Sequence, residues 1–185
     1  MTQAQLTVLA GPTAVGKGTV VAALTRRYPQ LRVSVSATTR APRPGEKEGV
    51  HYFFVSPQEF DDMIERGDML EWALVHGTNK YGTPRGPVDE SLNAGVPVLL
   101  EIDLDGARQV RATRPDACFV FLAPPSWEEL ERRLIGRGTE GPEERERRLR
   151  TARIEMEAAS EFDHVVINDD VDRAVSELAG LIGLE

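Results

Sequence analysis

Apolar and polar positions along the chain fall into blocks that switch between a period of two and a period near 3.6. Leu6-Thr7-Val8-Leu9-Ala10 is almost continuously apolar and predicts a strand buried on both faces. Val20-Val21-Ala22-Ala23-Leu24 follows as the first turns of a helix, which ends at Tyr28-Pro29 because the residue before a proline disfavours the helical region. Residues 31–35 alternate and predict a second strand; residues 51–55 predict another. Ser56-Pro57-Gln58-Glu59 predicts a helix start, with Ser56 as N-cap, Pro57 at the first helical position and Glu59 closing a capping box. That helix runs to about Arg66 and stops at Gly67, and a strand follows over residues 69–75. Gly77 to Lys80 reads as a turn, and Pro84-Arg85-Gly86-Pro87 as a joint between substructures.

Beyond residue 88 the alternation becomes regular. Helices are predicted over 88–94, from Asp105-Gly106 to about Arg114, after the capping box Ser126-Trp127-Glu128-Glu129, over about 143–160 and over 171–181. Between them lie apolar strands within 96–102, 118–122 and 163–168. Leu149, Ala152, Met156 and Ala159 form a stripe on the long helix that reads as core. Helices interleaved with apolar strands by short connections imply an α/β fold, a parallel sheet flanked by helices. Ligands in such folds bind beyond the carboxyl ends of the strands. Ser36, Glu101, Asp103 and Asn168 all fall at such ends. The segment 37–84 breaks the rhythm and is expected to form an inserted lobe, leaving 1–36 and 85–185 as one core.

The chemistry starts at Gly11-Pro12-Thr13-Ala14-Val15-Gly16-Lys17-Gly18-Thr19, between the first strand and the first helix. The spacing Gly-x-x-x-x-Gly-Lys in that setting turns backbone N–H groups towards a phosphate, and Lys17 brings a cation to its terminal oxygens. Gly18 stands where a hydroxyl residue commonly meets magnesium, and Thr19 comes one residue late. A second cationic stretch, Arg40, Arg43 and Lys47, lies in a loop rich in proline and glycine. It is either a solvated surface or an anion site in which guanidinium groups fork a phosphate. Glu71 is the one acid in an apolar strand, either an edge residue or a carboxylate aimed into a pocket. Arg133 and Arg137 are four apart and share a helical face, and Arg148 follows in a basic cluster. Arginines on a closing lid would stabilise a moving phosphoryl group and exclude water.

Composition narrows this picture. The chain has 185 residues and a net charge of −8, which argues against a broad nucleic-acid surface. Its single cysteine, Cys118, sits in an apolar run and cannot form a disulfide within the chain, in keeping with a reducing compartment. The first residues lack the pattern of a signal peptide, and no apolar run nears the ~20 residues that span a bilayer. A cytoplasmic location is expected, with no membrane partner.

Several stretches together carry a resemblance. They are residues 34–46, Leu70-Glu71-Trp72-Ala73, Glu101-Ile102-Asp103-Leu104-Asp105-Gly106, Ala123-Pro124-Pro125-Ser126, residues 136–140 and Val166-Ile167-Asn168-Asp169-Asp170. In this order they make the chain similar to the guanylate kinases, nucleoside-monophosphate kinases of the P-loop class. The resemblance implies transfer of the γ-phosphoryl of ATP to GMP, and to dGMP, giving ADP and GDP with Mg2+ in purine nucleotide salvage. It implies a lid at about 136–148. It implies that Gly11 to Thr19 and Asn168 bind ATP, and that Lys17, Arg40, Arg133, Arg137 and Arg148 are catalytic. It assigns GMP to Ser36, Arg40, Arg43, Glu46, Tyr52, Glu71, Tyr81, Thr83, Glu101 and Asp103, with no protein metal ligand. Guanine offers N1–H and an N2 amino group as neighbouring donors, and one carboxylate such as Glu71 accepts both; adenine presents no such pair.

Some positions depart from the family pattern. Gly18 leaves magnesium to be held through waters and phosphates. Glu101 stands where aspartate is common, and Lys80 where a second tyrosine is frequent. Three rival readings remain open at this level. A catalytically silent binding module would give no ADP from ATP and GMP. A GTPase switch would carry an Asn-Lys-x-Asp motif, whereas Asn79-Lys80 is followed by Tyr81-Gly82. Another monophosphate kinase would prefer AMP or UMP.

Overall fold

The computed structural model describes residues 4–136 and 140–185. The chain begins with β1 (Leu6–Ala10), α1 (Lys17–Arg27) and the short strands β2 (Arg32–Val33), β3 (Ala37–Thr38) and β4 (Phe53–Phe54). Then come α2 (Pro57–Glu65), β5 (Met69–Val75), β6 (Asn79–Pro84), α3 (Arg85–Asn93) and β7 (Val98–Glu101). The second half runs α4 (Leu104–Thr113), β8 (Cys118–Ala123), α5 (Trp127–Ile135), α6 (Pro142–Glu157), a 3-10 turn (Ala158–Glu161), β9 (His164–Ile167) and α7 (Val171–Ile182).

One sheet has the order β2-β7-β1-β8-β9, with every pairing parallel. β1 and β8 are fully buried because helices cover both faces, which is why their sequences lack alternation. One face packs Leu9, Val120, Leu122 and Val166 against α1 and α7. The other packs Val8, Leu100 and Phe119 against Val88, Ala107 and Val110 of α3 and α4. β1 lies in the middle, so the loop at its carboxyl end is held by strands on either side.

A second sheet has the order β4-β3-β6-β5 and is mixed: β3 pairs parallel with β4, and β6 antiparallel with β3 and β5. Its small core is Ala37, Phe60 and Met69, with Trp72 edge-on to Phe60 at 6.5 Å between ring centroids. Burying a phenylalanine such as Phe60 contributes roughly 1.5–3 kcal/mol. α2 starts as its sequence dictates: Ser56 Oγ accepts from the Glu59 N–H at 3.1 Å, and Pro57 occupies the first turn. Gly67, with φ of 72°, allows the reversal into β5.

The structure corrects several local expectations. The strand expected over 31–35 is confined to Arg32–Val33, and that over 51–55 to Phe53–Phe54. Residues 37–38, expected in a loop, form β3 because β6 supplies a partner far along the chain. Asn79 and Lys80, expected in a turn, already belong to β6. At Pro84 to Pro87 the chain passes from the second sheet to the core without a loop: β6 ends at Pro84, and α3 begins at once, earlier than expected, with Gly86 and Pro87 in its first turn, where a missing N–H costs nothing. The long helix ends at Glu157 in a 3-10 turn. Of its expected core stripe, Leu149, Ala152 and Met156 pack against Leu130, Leu134 and Trp127 of α5, while Ala159 falls in the 3-10 turn.

Candidate active site

The loop between β1 and α1 is shaped by its glycines. Ala14 and Gly16 have φ of 70° and 97°, the left-handed conformation that turns successive N–H groups to one side. A Cβ on Gly11 would stand 2.4 Å from the Leu122 carbonyl oxygen, so only glycine lets the loop leave β1 against β8. A Cβ on Gly16 would meet the Asn168 amide nitrogen at 2.8 Å. The Val15 N–H bonds the Pro12 carbonyl at 3.2 Å. The N–H groups of Ala14 and Gly16 find no acceptor among the described residues, and those of Lys17, Gly18 and Thr19 open α1, where helix geometry leaves them without one. That is an anion cradle at a helix N-terminus.

Three residues from the second half brace the loop. Arg133 on α5 and Asn168 after β9 both donate to the Val15 carbonyl, at 3.1 and 2.8 Å. The Thr13 N–H donates to Glu155 Oε2 on α6 at 2.8 Å. Asn168, expected beside adenine, is buried with its amide engaged beneath the loop. Lys17 Nζ donates to the Gly11 carbonyl at 2.7 Å. Burial pushes the Lys17 ammonium below its ordinary range, opposed by the charges of Glu155, Glu101 and Asp103. Glu155 is pushed up, first by burial, against the Thr13 N–H and the Lys17 charge that hold it down.

On the second sheet, Arg40, Glu46, Tyr52 and Tyr81 form one cluster. Arg40 forks Glu46 with bonds of 3.0 and 2.9 Å, donates to the Tyr81 hydroxyl at 3.2 Å, and lies over the Tyr52 ring at 5.3 Å. Tyr52 and Tyr81 meet edge-on at 5.9 Å. The Arg40 guanidinium, with the Arg43 N–H, holds the Glu46 carboxyl down at about 2. Arg43 is exposed, and half-buried Ser36 accepts the Phe53 N–H through its carbonyl.

β5 and β6 place Glu71 opposite Thr83 in register, and the Thr83 hydroxyl donates to Glu71 Oε1 at 2.7 Å. Both are buried. Burial raises the Glu71 carboxyl above its ordinary range; the Thr83 bond lowers it and the Asp103 charge raises it further. Glu101 ends β7 exposed, and Asp103 caps α4 by accepting the Gly106 N–H at 2.8 Å. Arg148 pairs with Glu140 at 2.6 Å and Glu144 at 3.9 Å. Arg137 lies outside the described residues.

Three residues that sequence reasoning did not single out complete the arrangement. Glu155 was hidden in a helix crowded with charges. Gln109 on α4 grips the Trp72 backbone from both sides, accepting its N–H at 3.0 Å and donating to its carbonyl at 2.9 Å. Gly106 leaves room for Glu71, whose Oε2 would stand 3.0 Å from a Cβ there. Of the three, only Gly106 was marked in the sequence, as part of the helix start expected at Asp105-Gly106.

A phosphate cradle on a five-stranded parallel sheet, with an added mixed sheet carrying an arginine–tyrosine cluster and a buried carboxylate, defines a phosphotransferase of the P-loop class. The comparisons narrow this. The guanylate kinase family model matches residues 3–185. A guanylate kinase of Thermobifida fusca is 61% identical over 96% of this chain and 90% of that protein. One from Cutibacterium acnes is 57% identical over 96% of this chain and 89% of that protein. The crystal structure of guanylate kinase from Anaplasma phagocytophilum superposes with a TM-score of 0.72 at 32% identity, covering 97% of this chain and 85% of that one. The chain belongs to the guanylate kinase family.

Proposed function

We propose that the chain transfers the γ-phosphoryl group of ATP to GMP, and to dGMP, giving ADP and GDP. The observation that carries this reading is the pairing of Glu71 with Thr83. It is a buried carboxylate held on the second sheet, which also carries the arginine–tyrosine cluster. Segment 37–84 serves as the acceptor lobe and 136–148 as the lid. Family membership supports nucleotides as substrates.

In this reading the cradle N–H groups and Lys17 hold the β- and γ-phosphates of ATP. Arg40 and Arg43 hold the GMP phosphate, with Tyr52 and Tyr81 around it, and Glu46 yields Arg40 to it. Glu71 accepts guanine N1–H and N2–H while Thr83 holds its other lone pairs, with Ser36, Glu101 and Asp103 alongside. A GMP phosphate oxygen attacks the γ-phosphorus as the bond to the β–γ bridging oxygen breaks, and ADP leaves. With its second pKa near 6, the GMP phosphate is largely dianionic at neutral pH, so the attack calls for no general base. Arg133, Arg137 and Arg148 offset the charge that spreads over the equatorial oxygens.

Magnesium enters with ATP. Among the described residues no cluster of three or more His, Cys, Asp or Glu side chains is arranged to hold a metal, and Gly18 lacks a hydroxyl. Glu101 and Asp103, close enough to act on Lys17, suit an ion that keeps its waters. Bound there, the ion would supply positive charge to offset the charge of the phosphate oxygens. No helix among the described residues is long and apolar enough to cross a membrane. The buried thiol of Cys118 and the absence of a second cysteine support a cytoplasmic site of action.

The test is ATP-driven turnover with GMP, AMP and UMP as acceptors. ADP should form with GMP alone; equal rates with AMP would refute the guanine-reading role of Glu71, and no ADP at all would refute the kinase. Lys17→Ala should lower kcat by ~10²–10³, the scale for removing one preorganised donor to a developing charge.

A further inference from the structure

The Thr13 N–H is the one amide of the loop that an acid from the second half takes. Its partner, Glu155, lies 142 residues away on α6. A half-buried carboxylate beside a polyphosphate site opposes nucleotide binding through like charge, and its own burial works against ionisation. The contact is therefore made against an electrostatic cost, which its geometry has to offset. α6 suggests what that geometry serves. Arg148 precedes Glu155 by seven residues, two helical turns, and so shares its face about 10 Å away along the axis. Between them, Ala152 is buried against Leu130 and Leu134 of α5, whose Arg133 also reaches the loop. Removing the tie at Glu155 therefore frees α6 to shift along that packing, and Arg148 shifts with it. The cradle amides from Ala14 to Thr19 are untouched by the contact, so Glu155 sits at the rim of the cradle and does not occupy it.

We propose that Glu155 is a positioning residue for phosphoryl transfer: by holding the Thr13 N–H it ties α6 to the phosphate loop and fixes Arg148 relative to the transferring phosphoryl. The proposal rests on the kinase reading above. It requires an acceptor oxygen at the right reach and not a charge. The test compares Glu155→Ala, Glu155→Gln and Glu155→Asp with the unsubstituted chain. The readouts are kcat and KM for GMP, calorimetric affinity for ATP alone, and thermal midpoint.

Glu155→Ala should lower kcat by ~10-fold or more, the scale on which small misplacements act. Its ATP affinity should hold or improve, since a like charge is removed. Glu155→Gln keeps an acceptor at the same reach and should recover most of kcat. Glu155→Asp, a methylene short, should resemble the alanine variant. If the alanine variant does not fold, the glutamine–aspartate contrast decides the question alone. A glutamine variant as slow as alanine would overturn the proposal in favour of a charge effect. An alanine variant with a lower melting midpoint but normal kcat would overturn it in favour of plain stability. No turnover in the unsubstituted chain would overturn the kinase reading itself.

Discussion

Glu71 is held protonated more readily than an ordinary glutamate because burial disfavours its charge, and that shift works against stability at neutral pH. A carboxyl whose folded-state pKa is raised contributes fully below its ordinary value and loses that contribution as pH rises through the raised one. Replacing it by Glu71→Gln keeps an oxygen for the Thr83 hydroxyl and removes the buried charge. The variant should melt higher than the parent at neutral pH, with the gap closing on acidification, as scanning calorimetry at several pH values would check. The same variant should lose GMP, because guanine N1–H then faces an amide; sites of this kind discriminate by ~10⁴ or more. On the proposed reading GMP requires the ionised carboxylate, so its KM should rise as pH falls below the raised pKa, and binding there should release a proton. Calorimetry in two buffers of different ionisation enthalpy detects that proton.

At the level of elements, what could be read in advance was whatever is determined locally. β1 announced itself by an unbroken apolar run, α2 by Ser56 and Pro57, and the phosphate loop by its glycines. β2, β3 and β4 could not be delimited, because strands of two residues exist only through partners elsewhere: Ala37 faces Gly82, and Arg32 faces Val98. α3 was expected from residue 88, but its first turn was masked by Pro84 and Pro87, which look like breakers in sequence yet occupy a helix N-cap and first turn. The β5–β6 pair has its own requirement. A Cβ on Gly82 would stand 2.7 Å from the Glu71 carbonyl oxygen and 2.9 Å from Trp72 Cβ. Gly82→Ala should therefore push the strands apart, destabilise the protein by ~1–3 kcal/mol as overpacking does, and raise KM for GMP more than KM for ATP. Chemical denaturation and steady-state kinetics would measure both.

Across the whole molecule, Lys17, Arg40 and Glu71 were legible as candidate site residues, because their residue types are tied to chemistry. The ties between the parts were not. Glu155 and Gln109 reach backbone atoms 142 and 37 residues away, and nothing in a helical charge pattern marks such a reach. Gln109 joins the two sheets by completing the free edge of β5, so Gln109→Leu should leave ATP affinity unchanged while weakening GMP several-fold. Two lost neutral bonds are worth ~0.5–1.5 kcal/mol each, and a calorimetric comparison of the two ligands would reveal the asymmetry. The grip on Trp72 has a mechanical consequence as well. It fastens the strand next to Glu71 to the core, whereas Arg40 rides two strands further from that fastening. A rotation of the second sheet about that fastening would carry Arg40 through a wider arc than Glu71, so the two residues would not move in step.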